Sequence, residues 1–189
     1  MAGRRDQVLD AAVQVLGTGG LRGLTYQAVD KAAEVPAGTT SNHFRSRTLL
    51  VAGVVDHLRA LDAQDWKKFA AGPMEGGPQV LADALSRTVR HMLGPARHRT
   101  TARYALALEG LVRPTVREPL GRARESMIEL TSTWLARLGS PEPLEHCKVL
   151  FDYLDGLIFN QVVLPQEQFD PELGIRTVLS ALLPAPHGP

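Results

Sequence analysis

The sequence lacks the features that mark membrane, secreted and disulfide-bonded proteins. Cys147 is the only cysteine in 189 residues, so no disulfide can form within the chain and a reducing compartment is indicated. No apolar run reaches the length of about 20 residues that a membrane-spanning helix needs. The first ten residues, MAGRRDQVLD, contain no apolar signal core. We therefore expect a cytoplasmic protein with no membrane partner.

The motifs of the common enzyme classes are also missing. The sequence has no glycine-rich phosphate loop and no serine or cysteine elbow. Glu142 and His146 are spaced to share a helix face, but no third metal ligand accompanies them. Cys147 lies in an apolar stretch and is more typical of core than of a nucleophile, while Asp152 and Asp155 are typical of a helix surface. We expect no catalytic residue, no metal and no cofactor, which makes an enzyme the disfavoured class.

Strand-type alternation is absent, and apolar residues instead recur at spacings of three and four, as they do on helices. A first amphipathic helix is predicted over residues 4–16, ended by the run Gly17-Thr18-Gly19-Gly20. Two short helices are predicted within residues 25–44. Longer helices are predicted over 46–71, 79–93, 101–112, 116–138, 144–164 and 173–183. The fold class that we predict is all-α, with about nine helices.

Charge is distributed unevenly, although the net charge is only +1. Residues 1–50 carry six Lys and Arg against four Asp and Glu, whereas residues 140–189 carry two against seven. This distribution is consistent with DNA contact confined to the first part of the chain. The stretch 95–139 carries eight basic against four acidic residues, which we interpret as a solvated face, with an anionic effector as the alternative.

The stretch from Leu24 to Leu50 predicts two short helices joined by a tight turn. Thr25 is a good N-cap for the first helix, and Pro36 interrupts the helical pattern. The second helix, roughly 37–44, is small and polar, so only Phe44 can anchor it. A helix with almost no apolar face is unstable unless it lies against a polar surface. The pattern favours a helix-turn-helix that enters a major groove, and the alternative is a solvated helical hairpin.

These residues resemble the DNA-binding signature of TetR-type transcriptional regulators, hydrophobic-Ala-x-x-Ala-Gly-Val-Ser-x-Gly-Thr-Leu-Tyr-x-Tyr-Phe-x-x-Lys. The residues that match are Val29, Ala33, Val35, Gly38, Thr39 and Phe44, with Arg47 in place of the lysine. The departures are Asp30 for Ala, Glu34 for Gly, Pro36 for Ser, Thr40-Ser41 for Leu-Tyr and His43 for Tyr. The form VPxGTTSN(Y/H)FRxR is similar to a variant subgroup of the same family.

The resemblance implies a one-component regulator, a repressor of palindromic operators, with a three-helix DNA-binding domain over residues 1–47. Residues 48–189 would then form a helical-bundle domain for effector binding and dimerisation. The residues that we expect to contact base edges in the groove are Thr39, Thr40, Asn42 and His43. The remaining predicted contacts to double-stranded DNA are Thr25, Tyr26, Gln27, Ala37, Gly38, Ser41, Arg45 and Arg47.

Two further partners are expected for the C-terminal part. The nearly continuous apolar character of 144–164, together with 173–183, predicts a homodimer through the last two helices, although the same residues could be plain core. A pocket between bundle helices would bind a hydrophobic or aromatic small-molecule effector. Its candidate lining is Met92, Tyr104, Leu108, Met127, Trp134, Phe151, Phe159 and Asn160. The alternative function is a ligand-independent DNA-binding or architectural protein.

Overall fold

The computed structural model describes residues 3–70 and 76–183, and within these ranges the chain forms helices and no strand. The all-α prediction is therefore confirmed. No helix in these ranges is both long enough and apolar enough to cross a membrane. The helices are α1 (Arg4–Gly23), α2 (Tyr26–Ala32), α3 (Thr39–His43), α4 (Arg47–Ala70), α5 (Pro78–Leu93), α6 (Arg97–Gly110), α7 (Pro114–Arg137), α8 (Pro143–Val163) and α9 (Glu172–Leu182).

Most helix ends lie within a few residues of their predicted positions, but α1 is longer than its sequence pattern indicated. The glycine run does not end it, since Gly17 to Gly19 remain helical. The break comes at Gly20, where φ is +62° and ψ is −173°, and one more turn follows to Gly23. Gly17 lies against α6, and a Cβ there would collide with the His98 carbonyl. This glycine therefore permits close backbone approach between α1 and α6.

The chain divides into two compact units. The first contains Met1–Asp65 and Pro95–Ala123, and the second contains Trp66–Gly94 and Arg124–Pro189. Residues of α4 and α7 therefore belong to both units. These units are defined by compactness, so the division of functions at residue 47 stays a prediction.

The first unit has a continuous apolar core, built by α1, α2, α4, α6 and the start of α7. Its largest fully buried side chains are Leu9, Leu16, Leu24, Leu50, Leu58 and Leu106. In the second unit, α5 packs against α8 and α9. Leu81, Leu135, Cys147, Leu150, Ile158, Ile175 and Leu179 are buried there.

Many arginines of the basic stretch 95–139 form ion pairs within their own unit. Arg103 makes a two-pronged contact with Asp62, at 2.6 and 3.1 Å, and Arg99 lies 2.7 Å from Asp65. In the second unit, Arg124 pairs with Asp152 at 2.6 Å. These pairs balance much of the local positive charge, so the stretch does not require an anionic partner.

Candidate nucleic-acid interface

The first helix of the motif, α2, begins as its sequence predicts. The Thr25 hydroxyl oxygen accepts a hydrogen bond from the Ala28 amide at 3.1 Å. This bond satisfies one of the backbone donors that the first turn of a helix leaves unpaired. Val29 and Ala33 are buried in the core of the first unit. The predicted N-cap is confirmed.

The turn after α2 is a Schellman motif, which ends a helix through a residue in the left-handed conformation. The Val35 amide donates to the Asp30 carbonyl at 3.1 Å, and the Glu34 amide donates to the Lys31 carbonyl at 3.2 Å. Glu34 occupies the left-handed position with φ +52°, and no other non-glycine residue described has a positive φ. The turn thus keeps its geometry although glutamate stands where the family signature has glycine.

The start of α3 is held by a side chain from α2. Gly38 is the N-cap of α3, with φ +88°, and has no side chain with which to cap it. Asp30 supplies the acceptors instead. Its Oδ2 accepts from the Gly38 amide at 2.8 Å, and its Oδ1 accepts from the Thr40 amide at 2.7 Å and the Thr40 hydroxyl at 2.5 Å. We call this set of three hydrogen bonds the Asp30 clamp.

The clamp keeps a buried carboxylate ionised. Asp30 is only 5% exposed, and burial alone would raise its pKa. The hydrogen bonds from the Thr40 hydroxyl and from the Thr40 and Gly38 amides outweigh burial and hold the pKa of Asp30 below its ordinary value. From the sequence, Asp30 was only a departure from the family signature. Its partners are eight and ten residues away, across a turn, and local pattern gives no sign of them.

The prediction that Thr40 contacts the groove is wrong. Thr40 is fully buried, and its hydroxyl hydrogen is used in the bond to Asp30. A side chain in this position cannot reach a base edge or a phosphate. Thr40 belongs to the packing between α2 and α3, where the family signature has leucine.

The remaining polar residues of α3 divide into two groups. The Thr39 hydroxyl donates to the Pro36 carbonyl at 2.6 Å, and the Ser41 hydroxyl donates to the Gly38 carbonyl at 2.9 Å. Both hydroxyl hydrogens are therefore used within the motif. Asn42 and His43 are exposed at the end of α3. Gln27, Ala37 and Arg45 are exposed too, Tyr26 is half-buried, and their DNA contacts stay predictions, as does that of Gly38.

Phe44 and Arg47 follow α3, and both are held by other parts of the first unit. Phe44 is 4% exposed and packs in the core, with the Arg5 guanidinium 5.2 Å from its ring centroid. Its predicted role as the anchor is confirmed. The Arg47 guanidinium donates to the Leu24 carbonyl at 2.6 Å and to the Leu21 carbonyl. Arg47 thus joins the start of α4 to the last turn of α1 and to the residue that follows it, while its predicted phosphate contact stays a prediction.

The eight candidate effector residues do not form one set in the structure. Tyr104 and Leu108 belong to the first unit and the other six to the second. Leu108 is 62% exposed, and Asn160 is exposed with its side-chain amide donating to the Gly156 carbonyl of its own helix. The prediction that Leu108 and Asn160 line an effector pocket is wrong, because neither side chain lies inside its unit.

The prediction for Phe159 is wrong for the same reason, because it is 41% exposed. The other five candidates stay predictions, and the Phe151 ring centroid lies 5.9 Å from the Arg124 guanidinium. The remaining four are half-buried, namely Met92, Tyr104, Met127 and Trp134. The sequence reasoning did not find an open groove of about 660 Å³ in the first unit. Its lining includes Gln7, Gln14, Glu34, Leu61 and His98.

Cys147 is fully buried and is no candidate for chemistry. Burial raises the pKa of its thiol to about 11, against the opposing effect of the nearby Arg124 guanidinium. Its predicted place in the core is confirmed. Among the residues that the structure describes, no three His, Cys, Asp or Glu side chains are grouped so that they could hold a metal ion.

A family model matches more than half of the chain, and solved structures are similar over nearly all of it. The model of the tetracyclin repressor-like C-terminal domain matches residues 76–185. The multidrug binding protein EbrR, in a crystal structure complexed with proflavin, is 30% identical to this chain, with 96% of this chain and all of EbrR covered and a TM-score of 0.62. A search of curated proteins gave no significant match.

Two further solved structures are similar over nearly the whole chain. A member of the TetR family from Streptomyces coelicolor is 29% identical, with 97% of this chain and all of that chain covered and a TM-score of 0.74. NemR from E. coli, in its reduced form, is 19% identical, with 98% and 100% covered and a TM-score of 0.76. At that identity, NemR supports the fold alone.

Proposed function

The chain belongs to the TetR family of transcriptional regulators, and from this premise we propose that it is a repressor that binds palindromic DNA as a homodimer. The observation that carries the proposal is the exposure of Asn42 and His43 at the end of a short helix fixed at both ends. An exposed amide and imidazole can bond base edges in a major groove, and asparagine can pair bidentately with adenine.

Phosphate contacts would come from the residues around α3. Arg45 is exposed beside it, and Gln27 is exposed in the first turn of α2. Contacts of this kind fix the register on the duplex without reading its sequence. We propose that Arg45 and Gln27 do this, with Arg47 adding to it through the donors that its bonds to Leu21 and Leu24 leave free.

The proposed dimer uses α8 and α9. Several large apolar side chains near these helices are exposed in the single chain, namely Leu144, Val149, Phe159, Val163, Leu164 and Leu173. Val149, Phe159 and Val163 lie on one side of α8 because their spacings are ten and four residues. Apolar surface exposed in this way is typical of an interface between subunits, and a two-fold dimer presents two recognition helices to a palindrome.

The proposed effector is a hydrophobic or aromatic small molecule that binds the second unit. The support comes from EbrR, whose crystal structures are complexes with ethidium, proflavin and malachite green. We propose that effector binding shifts α4, a continuous helix with residues in both units, and thereby lowers DNA affinity. Catalysis is not part of the proposal.

The first experiment selects duplexes from a random library with the wild-type protein and measures their affinity by fluorescence anisotropy at a stated salt concentration. We expect a palindromic consensus, and a mass of two chains by light scattering. Asn42→Ala should cost about 1–3 kcal/mol and relax the preference at one base pair. Gln64→Ala, an exposed change on α4, is the matched control. An equal loss on all duplexes would contradict the role of Asn42.

Effector binding needs a separate assay, because planar dyes such as ethidium and proflavin also intercalate into DNA. Titration calorimetry of the protein with malachite green, without DNA, measures binding directly. The dye is then added to the protein–operator complex, with dye on the free duplex as control. A saturable release of DNA supports the regulator. Affinity that depends on neither sequence nor ligand would favour the architectural alternative.

A further inference from the structure

We propose that Asp30 is a positioning residue for DNA recognition, and that the Asp30 clamp sets how α3 presents Asn42 and His43 to the groove. The inference rests on the proposed DNA-binding function and goes beyond it, because Asp30 itself is buried and cannot touch DNA. The clamp joins α2 to the N-terminal turn of α3 through three hydrogen bonds.

The need for such a clamp follows from the length of α3. A helix of five residues has too few internal hydrogen bonds to be stable alone. Its backbone donors at Gly38 and Thr40 are among those that a helix start leaves unpaired. Gly38, the N-cap of α3, has no side chain that could accept these hydrogen bonds, as a serine or an aspartate at an N-cap would. The acceptors that α3 requires come from Asp30 instead.

The chemistry of the clamp requires a carboxylate. Both oxygens of Asp30 accept hydrogen bonds, from two amides and one hydroxyl. Asparagine has nearly the same shape, but only one of its terminal atoms accepts. Its amide group would face either the Gly38 amide or the two donors of Thr40. Asp30→Asn therefore leaves at least one buried donor facing another donor, which is costly to bury, and the start of α3 must shift.

The direction of the change in affinity separates positioning from charge. Removing a negative charge near a DNA-binding surface strengthens the attraction to phosphates. A pure charge effect therefore predicts tighter binding for Asp30→Asn, whereas a positioning role predicts weaker binding to the selected operator. Asp56→Asn removes the same charge at an exposed position on α4, where the carboxylate makes only an exposed ion pair with Arg59 at 3.5 Å. It leaves the Asp30 clamp in place and serves as the matched control.

The test compares wild-type protein and variants on the duplex selected by the wild type and on a scrambled duplex, over a range of salt concentrations. For Asp30→Asn we expect operator affinity to fall about 10- to 100-fold, the range of a lost bidentate base contact. Affinity for the scrambled duplex and the salt slope should be unchanged or slightly raised, because the number of phosphate contacts is the same. An unchanged operator affinity would overturn the inference.

Variants at Thr40 keep the test valid if Asp30→Asn fails to fold. Thr40→Val removes the hydroxyl donor with little change in volume and leaves both amide bonds in place, so operator affinity should fall by less than for Asp30→Asn. Thr40→Ser keeps the hydroxyl and should restore most of the affinity. Equal affinity for the valine and serine variants would overturn the clamp. Absence of any specific duplex for the wild type would overturn the proposed function as well, so the two failures are distinguishable.

Discussion

Glu34 occupies a backbone conformation that favours glycine, and we predict that Glu34→Gly stabilises the protein. With φ +52°, Glu34 sits at the left-handed position of the Schellman motif that ends α2. The same motif ends α7, where the Gly139 amide donates to the Ala136 carbonyl at 3.0 Å and the Ser140 amide donates to the Leu135 carbonyl at 2.9 Å. There the left-handed residue is glycine, with φ +84°.

The expected change in the free energy of unfolding for Glu34→Gly is the difference between two effects. The left-handed conformation costs a residue with a Cβ roughly 1–2 kcal/mol, which glycine avoids. Glycine in turn loses more backbone entropy on folding, which costs roughly 0.5–1 kcal/mol. Glu34 is exposed, and its carboxylate forms no ion pair within the described residues, so little else is lost. The net gain in free energy of unfolding should be about 0.5–1 kcal/mol.

The assay is urea unfolding followed by circular dichroism, where a gain of this size raises the midpoint by about 0.3 M. Gly139→Ala is the reciprocal control, since it places a Cβ at the left-handed position of the α7 motif and should lower stability by about 1 kcal/mol. A loss of stability for Glu34→Gly would refute the reasoning. It would mean that the Glu34 side chain stabilises the turn by more than its backbone conformation costs.

Two further predictions concern the second unit. Gly156 lies within α8, and a Cβ there would meet no atom within 4 Å in the single chain. Gly156→Ala should therefore stabilise the monomer by about 1 kcal/mol. The same change should weaken the dimer, because a partner helix packed against this position would meet the added methyl group. Sedimentation equilibrium checks this against Gly121→Ala, a similarly open helical glycine, and tighter association of Gly156→Ala would contradict the proposed interface. Cys147, with its pKa raised to about 11, should be about 0.1% thiolate at pH 8, so an aromatic disulfide reagent should label it only after unfolding. Rapid labelling of the native protein would show that the thiol is accessible.

The helices were predictable because their apolar residues repeat at helical spacing, and this spacing reflects burial against a core. The end of α1 was not predictable, because its run of glycines, taken alone, indicates the end of a helix. What keeps those residues helical is packing: Gly17 lies against the backbone at His98, which is 81 residues away in the chain. A local pattern carries no information about such a contact.

The candidate DNA site was predictable in position but not in the role of each side chain. The polar character of α3 located the motif, and the resemblance supplied its geometry. Thr40 and Asn42 are both small polar residues, two positions apart, yet Thr40 is fully buried and Asn42 is exposed. Two positions on an α-helix are about 200° apart, so the two side chains point to opposite sides of α3, and Asp30 accepts the Thr40 hydroxyl on the buried side. The sequence contains Asp30 and Thr40 but does not show that they are hydrogen-bond partners.

The departures from the family signature differ in what they change. Asp30 and Thr40 are two mismatches by position but one interaction in space, and together they bind α2 to α3. Glu34 keeps the left-handed turn that glycine would adopt. These substitutions therefore preserve the turn between α2 and α3 and the start of α3. His43 differs in kind, because it is exposed and replaces a tyrosine of the signature. Differences in base preference between this chain and other family members should therefore depend on His43, with Asn42 beside it.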